Sequence, residues 1–299
     1  MSQIAERQAF FMGLGAVGLW STVATAFKWA LSDMSPLMLL WIATGVSWCL
    51  FSVLLWRQPH RPALWPERGH RLIPVIAGVL NPTLYYLLLF EGYRRLPGQE
   101  AMALNYTWAL TLAFMAIPML KHRLRGIDVI AGGICYGGVL VIATRGQPWS
   151  LTFADPVGVG IMLVTTVIWA GYWILNTLDQ RPALLAQWQN FTIGWAVLSL
   201  ILYRSPDIAW PSSGPYWGAA LYVGLFEMGI AFLLWLGAMK RTQQTSRLSN
   251  LIFLSPPISL VLLNQLLGEP IFASTLVALA MILCGLALQQ WHRQSDHPA

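Results

Sequence analysis

Charge is what this chain has least of. Of its 299 residues only 10% are Asp, Glu, Lys or Arg, while 57% are hydrophobic. A water-soluble domain of that composition has too little polar surface to cover its apolar residues, so lipid must be the solvent for most of it. Cysteine is scarce as well. Cys49, Cys135 and Cys284 lie far apart inside apolar segments, which excludes a disulfide framework and a cysteine metal site. All five histidines, His60, His70, His122, His292 and His297, fall in loops or in the tail. No HExxH, GxSxG or Walker A run occurs, so an intramembrane protease or a His-dependent acyltransferase lacks its catalytic parts and ATP is not the energy source within this chain. No cofactor signature survives inspection either. GLGAVG at 13–18 spells GxGxxG, but it sits inside an apolar run with no strand before it. NYT at 105–107 and NFT at 190–192 match glycosylation sequons, yet both also lie in apolar runs. The net charge of +6 does not point to nucleic acid, because the basic residues cluster in short loops between apolar segments.

What the chain has in abundance is spanning segments. Ten apolar stretches fill it, near 9–31, 36–56, 73–93, 99–120, 126–144, 156–178, 184–203, 216–239, 246–267 and 271–291. Each has roughly 20 residues, enough to cross about 30 Å of hydrocarbon as a helix. Open strands would leave backbone groups unpaired in lipid, so the fold expected is all-α and integral to the membrane. Residues 1–8 are polar and short, and the first apolar run is longer than the core of a signal peptide, so it is expected to stay in the membrane. With the N-terminus in the cytoplasm, one side collects 13 basic residues, Arg7, Arg57, Arg61 and Lys121 among them. The other collects only Arg94, Arg95, Arg145 and Arg204, with Lys28 near the outer end of the first span. The positive-inside rule therefore places both termini in the cytoplasm.

The segments also repeat. LLLFEGYRRLPGQEAMALNYTWAL and FLLWLGAMKRTQQTSRLSNLIFLS align Gly92 with Gly237, Arg95 with Lys240, Gln99 with Gln244 and Asn105 with Asn250, and Trp20 aligns with Trp169. Five is odd, so two tandem five-helix halves, 1–148 and 149–299, must be inverted relative to one another. That is an architecture of alternating-access transporters.

Glu227 falls in the middle of span 8, where an ionised side chain costs several kcal/mol unless it faces a cavity or a partner. It reads as a proton-coupling carboxylate, as a counter-charge for a substrate ammonium, or as a structural carboxylate bonded to a neighbouring helix. Glu91 has Arg94 and Arg95 at i+3 and i+4 and reads as a surface ion pair. Many of the 16 tryptophans sit at span ends, as interfacial anchors do, but Trp20, Trp108 and Trp169 lie mid-span. Together with Tyr85, Tyr86, Asn105 and Asn250 they would form an aromatic pocket with amide and phenol handles. Bundle packing is the competing explanation for each residue alone. Ser255-Pro256-Pro257 in span 9 should break or kink that helix and serve as a gate, and Pro82 and Pro118 should bend spans 3 and 4.

The second half then reads LLWLGAMKRTQQTSRLSNLIFLSPPISLVLLNQLLGEPIFASTLVALAMILCGL. Pro256, Gly268-Glu269-Pro270 and Gly285 in this stretch resemble the drug/metabolite transporter superfamily, the ten-span type with two EamA repeats. ALNYTWALT resembles the NYxWP signature of that superfamily's aromatic amino acid exporters, with Ala109 where the signature has proline. The resemblance implies a bacterial inner-membrane exporter of amino acids and cationic drugs. It implies no cofactor and no obligate protein partner beyond lipid and a small-molecule substrate. A transporter of phosphorylated metabolites would need basic residues in its cavity, and Lys28 is the one intramembrane candidate. A membrane enzyme or scaffold would leave the midplane Glu, Asn and Trp without a use.

Overall fold

The computed structural model describes residues 3–58, 64, 72–120, 126–149, 155–241 and 251–295. Asn250 and Gln244 lie outside the described residues. Every element among the described residues is helical, in chain order α1 (Gln3–Leu31), α2 (Pro36–Trp56), α3 (Leu72–Arg95), α4 (98–120), α5 (Gly126–Ala143), α6 (Pro156–Leu178), α7 (Ala183–Tyr203), α8 (214–241), α9 (251–267) and α10 (Ala273–Ser295). These elements coincide with the ten apolar segments. Local signals set their ends. Ser35 accepts from the Met38 N–H and Asp155 from the Gly158 N–H, each followed by a proline at the first helical position. Gly268 closes α9 at φ 67°, a left-handed position that favours glycine.

Five of the helices are long and apolar enough by composition alone to cross a membrane. α7 is as long, but it buries Gln187, Gln189 and Asn190 along one face. Side chains that point away from the bundle, such as Trp56, Ile130, Val261 and Val277, are apolar and exposed, as a lipid-facing surface requires.

The packing has a simple pattern. α5 packs on α10, and α2 on α7. α1 packs on α8 and α9, as α6 packs on α3 and α4. α2 also meets α8, as α7 meets α3. Adding or subtracting five from every helix number leaves this set unchanged. The close approaches obey the same exchange. A Cβ on Gly224 of α8 would stand 2.5 Å from the Ala43 carbonyl oxygen of α2, and one on Gly78 of α3 would stand 2.5 Å from the Asn190 carbonyl oxygen of α7. Only glycine lets these backbones meet.

Four helices among the described residues are irregular. α3 passes through a π-helical turn at Val79–Leu84, with non-helical backbone at Asn81 (φ −146°, ψ 121°) and a cis Asn81–Pro82 bond. α8 is π-helical over Val223–Ala231. The two π turns follow or contain the equivalent glycines, Gly78 and Gly224. The Thr83 hydroxyl donates to the Gly78 carbonyl, and the Ser47 hydroxyl donates to the Gly224 carbonyl at 2.6 Å, so side chains satisfy carbonyls that the altered ladder releases. α4 breaks at Thr107, well before Pro118. The kink expected of Pro256 and Pro257 lies just before them. A 3₁₀ turn at Leu251–Leu254 gives way to α-helix at Ser255, and the prolines occupy the first turn, where a missing N–H removes no helical bond.

Candidate functional site

The irregular helices, with α1 and α6, line a central cavity of about 800 Å³ of empty space, part of it open to the surroundings. Trp20 and Phe27 reach it from α1, Tyr85 and Tyr93 from α3, Asn105, Tyr106 and Trp108 from α4, Trp169 and Trp173 from α6, Glu227, Phe232 and Trp235 from α8, and Ser255 and Ser259 from α9. All but α9 also contribute to a continuous set of ring contacts. Trp169 is its hub. Its indole lies nearly parallel to the Tyr85 ring at 4.4 Å and to the Tyr172 ring at 5.7 Å. Trp108, Trp173 and Phe232 meet it edge-on at 6.5, 5.9 and 5.8 Å. Trp20 continues the wall through Phe232 and Trp235. Offset-stacked and edge-on geometries are the favoured ones for aromatic pairs, so the wall is rigid.

Polar groups on this wall are few. Asn105 Nδ2 donates to the Tyr85 hydroxyl at 3.3 Å. The Tyr86 hydroxyl donates to Glu227 Oε1 at 3.1 Å, and Glu227 Oε2 has no hydrogen-bond partner among the described residues. Glu227 lines the cavity and is 8% exposed, so its free oxygen is a buried acceptor beside the open space. No Lys, Arg or His lines the cavity among the described residues.

Of the residues singled out in the sequence, Trp20, Tyr85, Asn105, Trp108, Trp169 and Glu227 come together on this wall. Tyr86 does not line it but holds Glu227 from behind. Pro256 and Pro257 start the helix that carries Ser255 and Ser259. Asn250 lies outside the described residues. Trp173, Phe232, Trp235, Phe27 and Tyr93 did not stand out in the sequence, and Tyr106 did so only within the NYxWP resemblance. Trp173 follows Trp169 by one helical turn and was legible from that spacing. Phe232 lies five residues after Glu227, a shared face in a π turn but not in a regular α-helix.

The bundle end away from the termini is cross-linked by side chains. The Gly98 N–H, at the start of α4, donates to both oxygens of Glu269, at 3.1 and 2.9 Å. Lys28 Nζ stands 3.7 Å from Glu269 Oε1 and donates to the Tyr93 and Leu96 carbonyls. The Gln99 side chain donates to the Pro270 carbonyl. Lys28 is therefore spoken for at the latch and lies outside the cavity lining. Towards the other end, Trp173 and Phe232 also border a second space of about 820 Å³ next to the α6–α7 turn.

An aromatic cavity between two sets of helices that pack alike, inside an apolar exterior, suits a transporter, and comparison with known families decides which. The EamA-like transporter family matches twice, over residues 7–144 and 156–289. The chain belongs to the EamA-like transporter family. It is thus a membrane transporter of the drug/metabolite superfamily and not an enzyme. Similar proteins include the aromatic amino acid exporter YddG of Ancylobacter novellus, 27% identical over 95% of this chain and 98% of its own. The uncharacterized transporter YvbV of Bacillus subtilis is 23% identical over 96% of this chain and 93% of its own. Protein PecM of Dickeya dadantii is 25% identical over 72% of each chain. A solved crystal structure at 22% identity shares the fold, with a TM-score of 0.65 over 97% of this transporter and 99% of that chain.

Proposed function

We propose that this transporter exports small amphipathic solutes, aromatic and other neutral amino acids foremost, across a bacterial inner membrane. In this reading residues 1–148 and 149–299 form two inverted five-helix repeats with both termini in the cytoplasm. The latch at Glu269 closes the outer side, and the space beside the α6–α7 turn leads inward. Rocking of one repeat against the other exposes the cavity to each side in turn.

The observation that carries the proposal is the makeup of the central wall. It has stacked rings for an aromatic side chain, one carboxylate with an unpaired oxygen for an ammonium group, and the Asn105 amide with the Ser255 and Ser259 hydroxyls for a carboxylate. Phosphorylated metabolites fit poorly, because two or more negative charges would meet Glu227 with no cation opposite them among the described lining residues. The likeness to an aromatic amino acid exporter over nearly the whole chain supports the same reading. One observation favours a second class. The wall offers a carboxylate and no cationic side chain, which suits organic monocations as well as zwitterions.

A competition assay separates the two. Binding of labelled L-tryptophan to the purified protein is challenged with unlabelled L-phenylalanine, L-leucine and a carboxyl-free aromatic amine. Displacement by the amino acids supports the first reading. Direct binding of the labelled amine by protein that does not bind L-tryptophan would replace it with the second.

A further inference from the structure

We propose that Asn190 and Gln187 of α7 are positioning residues for the aromatic wall: they hold the Tyr172 phenol, and the Tyr172 ring fixes Trp169. The proposal rests on the cavity being the binding site.

Tyr172 does not border the central cavity, and only 1% of it is exposed. Its hydroxyl accepts N–H groups from Gln187 Nε2 at 3.2 Å and Asn190 Nδ2 at 3.3 Å. Both amides are themselves buried. Polar side chains commonly bond between helices in a lipid-embedded bundle, and each buried one must find partners. Tyr172 and Gln187 also border the space beside the α6–α7 turn, and every member of this cluster is connected. Asn190 Oδ1 accepts from Arg181 Nη2 at 3.2 Å, and Arg181 is gripped by Asp179 through Nε at 2.9 Å and Nη2 at 2.5 Å. Arg181 also donates to Gln189, whose own amide donates to the Leu64 carbonyl. A chain of bonds thus runs from the α6–α7 turn to one phenol oxygen.

What that oxygen holds is a ring parallel to Trp169. The two rings sit three residues apart on α6, at an interplanar angle of 24°. Trp169 in turn is nearly parallel to Tyr85, whose hydroxyl takes the Asn105 N–H. Tethering the phenol at two points stops Tyr172 from turning about its χ angles, and a fixed Tyr172 leaves Trp169 one orientation against Tyr85. Phenylalanine at 172 would keep the ring but leave two buried N–H groups without an acceptor. The hydroxyl is therefore the part that positions, and α7 acts on the central wall without lining the central cavity.

The test measures affinities of the purified full-length protein in lipid nanodiscs for L-tryptophan, with L-leucine as competitor, in wild type, Asn190→Ala, Tyr172→Phe, the double variant, Asn190→Asp and Arg181→Gln. Asn190→Ala and Tyr172→Phe are each expected to weaken L-tryptophan binding roughly fivefold to tenfold, the range an aromatic contact carries. L-leucine, which gains little from a stacked wall, should compete within about twofold of its wild-type strength, so the aromatic preference falls. The double variant should be no worse than the worse single one, since both break one linkage. Asn190→Asp keeps acceptors for Arg181 and for the Tyr172 hydroxyl, and should restore the preference. Arg181→Gln should shift it in the same direction by less. Tyr172→Phe preserves volume and carries the test if Asn190→Ala does not fold. An unchanged aromatic preference in Tyr172→Phe, or independent, multiplying effects in the double variant, would overturn the proposal. Failure of the wild-type protein to bind L-tryptophan at all would remove the cavity reading itself, and is seen before any variant is made.

Discussion

In the proposed function Glu227 and Trp169 take different parts at the scale of single residues. Glu227 contributes charge, held from behind by the Tyr86 hydroxyl and open on its other oxygen. Glu227→Gln keeps an acceptor for Tyr86 and removes only the charge. The expected outcome is at least a tenfold loss of affinity for ammonium-bearing ligands, about 1.4 kcal/mol or more, and transport that no longer varies with pH. Isothermal titration and proteoliposome flux at several pH values check this, and full, pH-independent transport would remove Glu227 from the mechanism. Trp169 contributes shape, because five other rings converge on it. Some of this was legible in the sequence. An indole, an amide or a carboxylate in mid-membrane is conspicuous, so Trp20, Asn105, Trp108, Trp169 and Glu227 stood out. Phe27, Tyr93 and Phe232 did not. A Phe or Tyr in an apolar helix carries no mark that tells cavity from packing.

At the scale of elements, the two π turns and the broken α4 decide which side chains face inward. A π turn inserts an extra residue per turn and shifts every later side chain on the helix, which brings Phe232 and Trp235 onto the cavity with Glu227. No pattern of apolar residues announces that insertion, which is why counting at 3.6 residues per turn missed this face of α8. The helices themselves were legible, because spanning length and capping residues are local properties. The prolines of α9 were only half legible, since their position relative to the start of the α-helix depends on the 3₁₀ turn before them. Close packing sets the π turns in place. Gly224→Ala would push a methyl group against the α2 backbone at Ala43 and should cost about 1–3 kcal/mol, typical of overpacking. Thermal unfolding in detergent would register this as a lowered midpoint, whereas Gly218→Ala, inside the same helix where a Cβ meets nothing within 4 Å, should leave it unchanged or raise it.

At the scale of the whole molecule, the exchange symmetry of the packing and the latch at one end bear on how the cavity opens. Lys28 belongs to α1, Gly98 to α4 and Glu269 to the link from α9 to α10, so the Glu269 carboxylate, beside the Gln99–Pro270 bond, ties α1 and α4 to that link. Glu269→Gln weakens that joint, and Glu269→Ala removes it. With Cys49, Cys135 and Cys284 replaced and Met102→Cys introduced on the cavity wall, a membrane-impermeant thiol reagent added on the side that the proposed orientation makes outer should label Glu269→Ala severalfold faster than its parent. Equal rates would mean that the latch does not govern outer access. The family was legible in the sequence because it rests on segments, repeats and the Gly268-Glu269-Pro270 stretch. The partners of Glu269 were not, since they meet it across more than 170 positions of chain.

The central claim is that the aromatic chamber carries aromatic amino acids. Uptake of labelled L-phenylalanine and L-tryptophan into liposomes containing the wild-type protein tests it most directly, against protein-free liposomes and liposomes containing Trp169→Ala. The account predicts saturable uptake of both by wild type, and loss of most of it in Trp169→Ala. Uptake by folded wild-type protein no greater than that of protein-free liposomes, or uptake indifferent to the loss of Trp169, would contradict it.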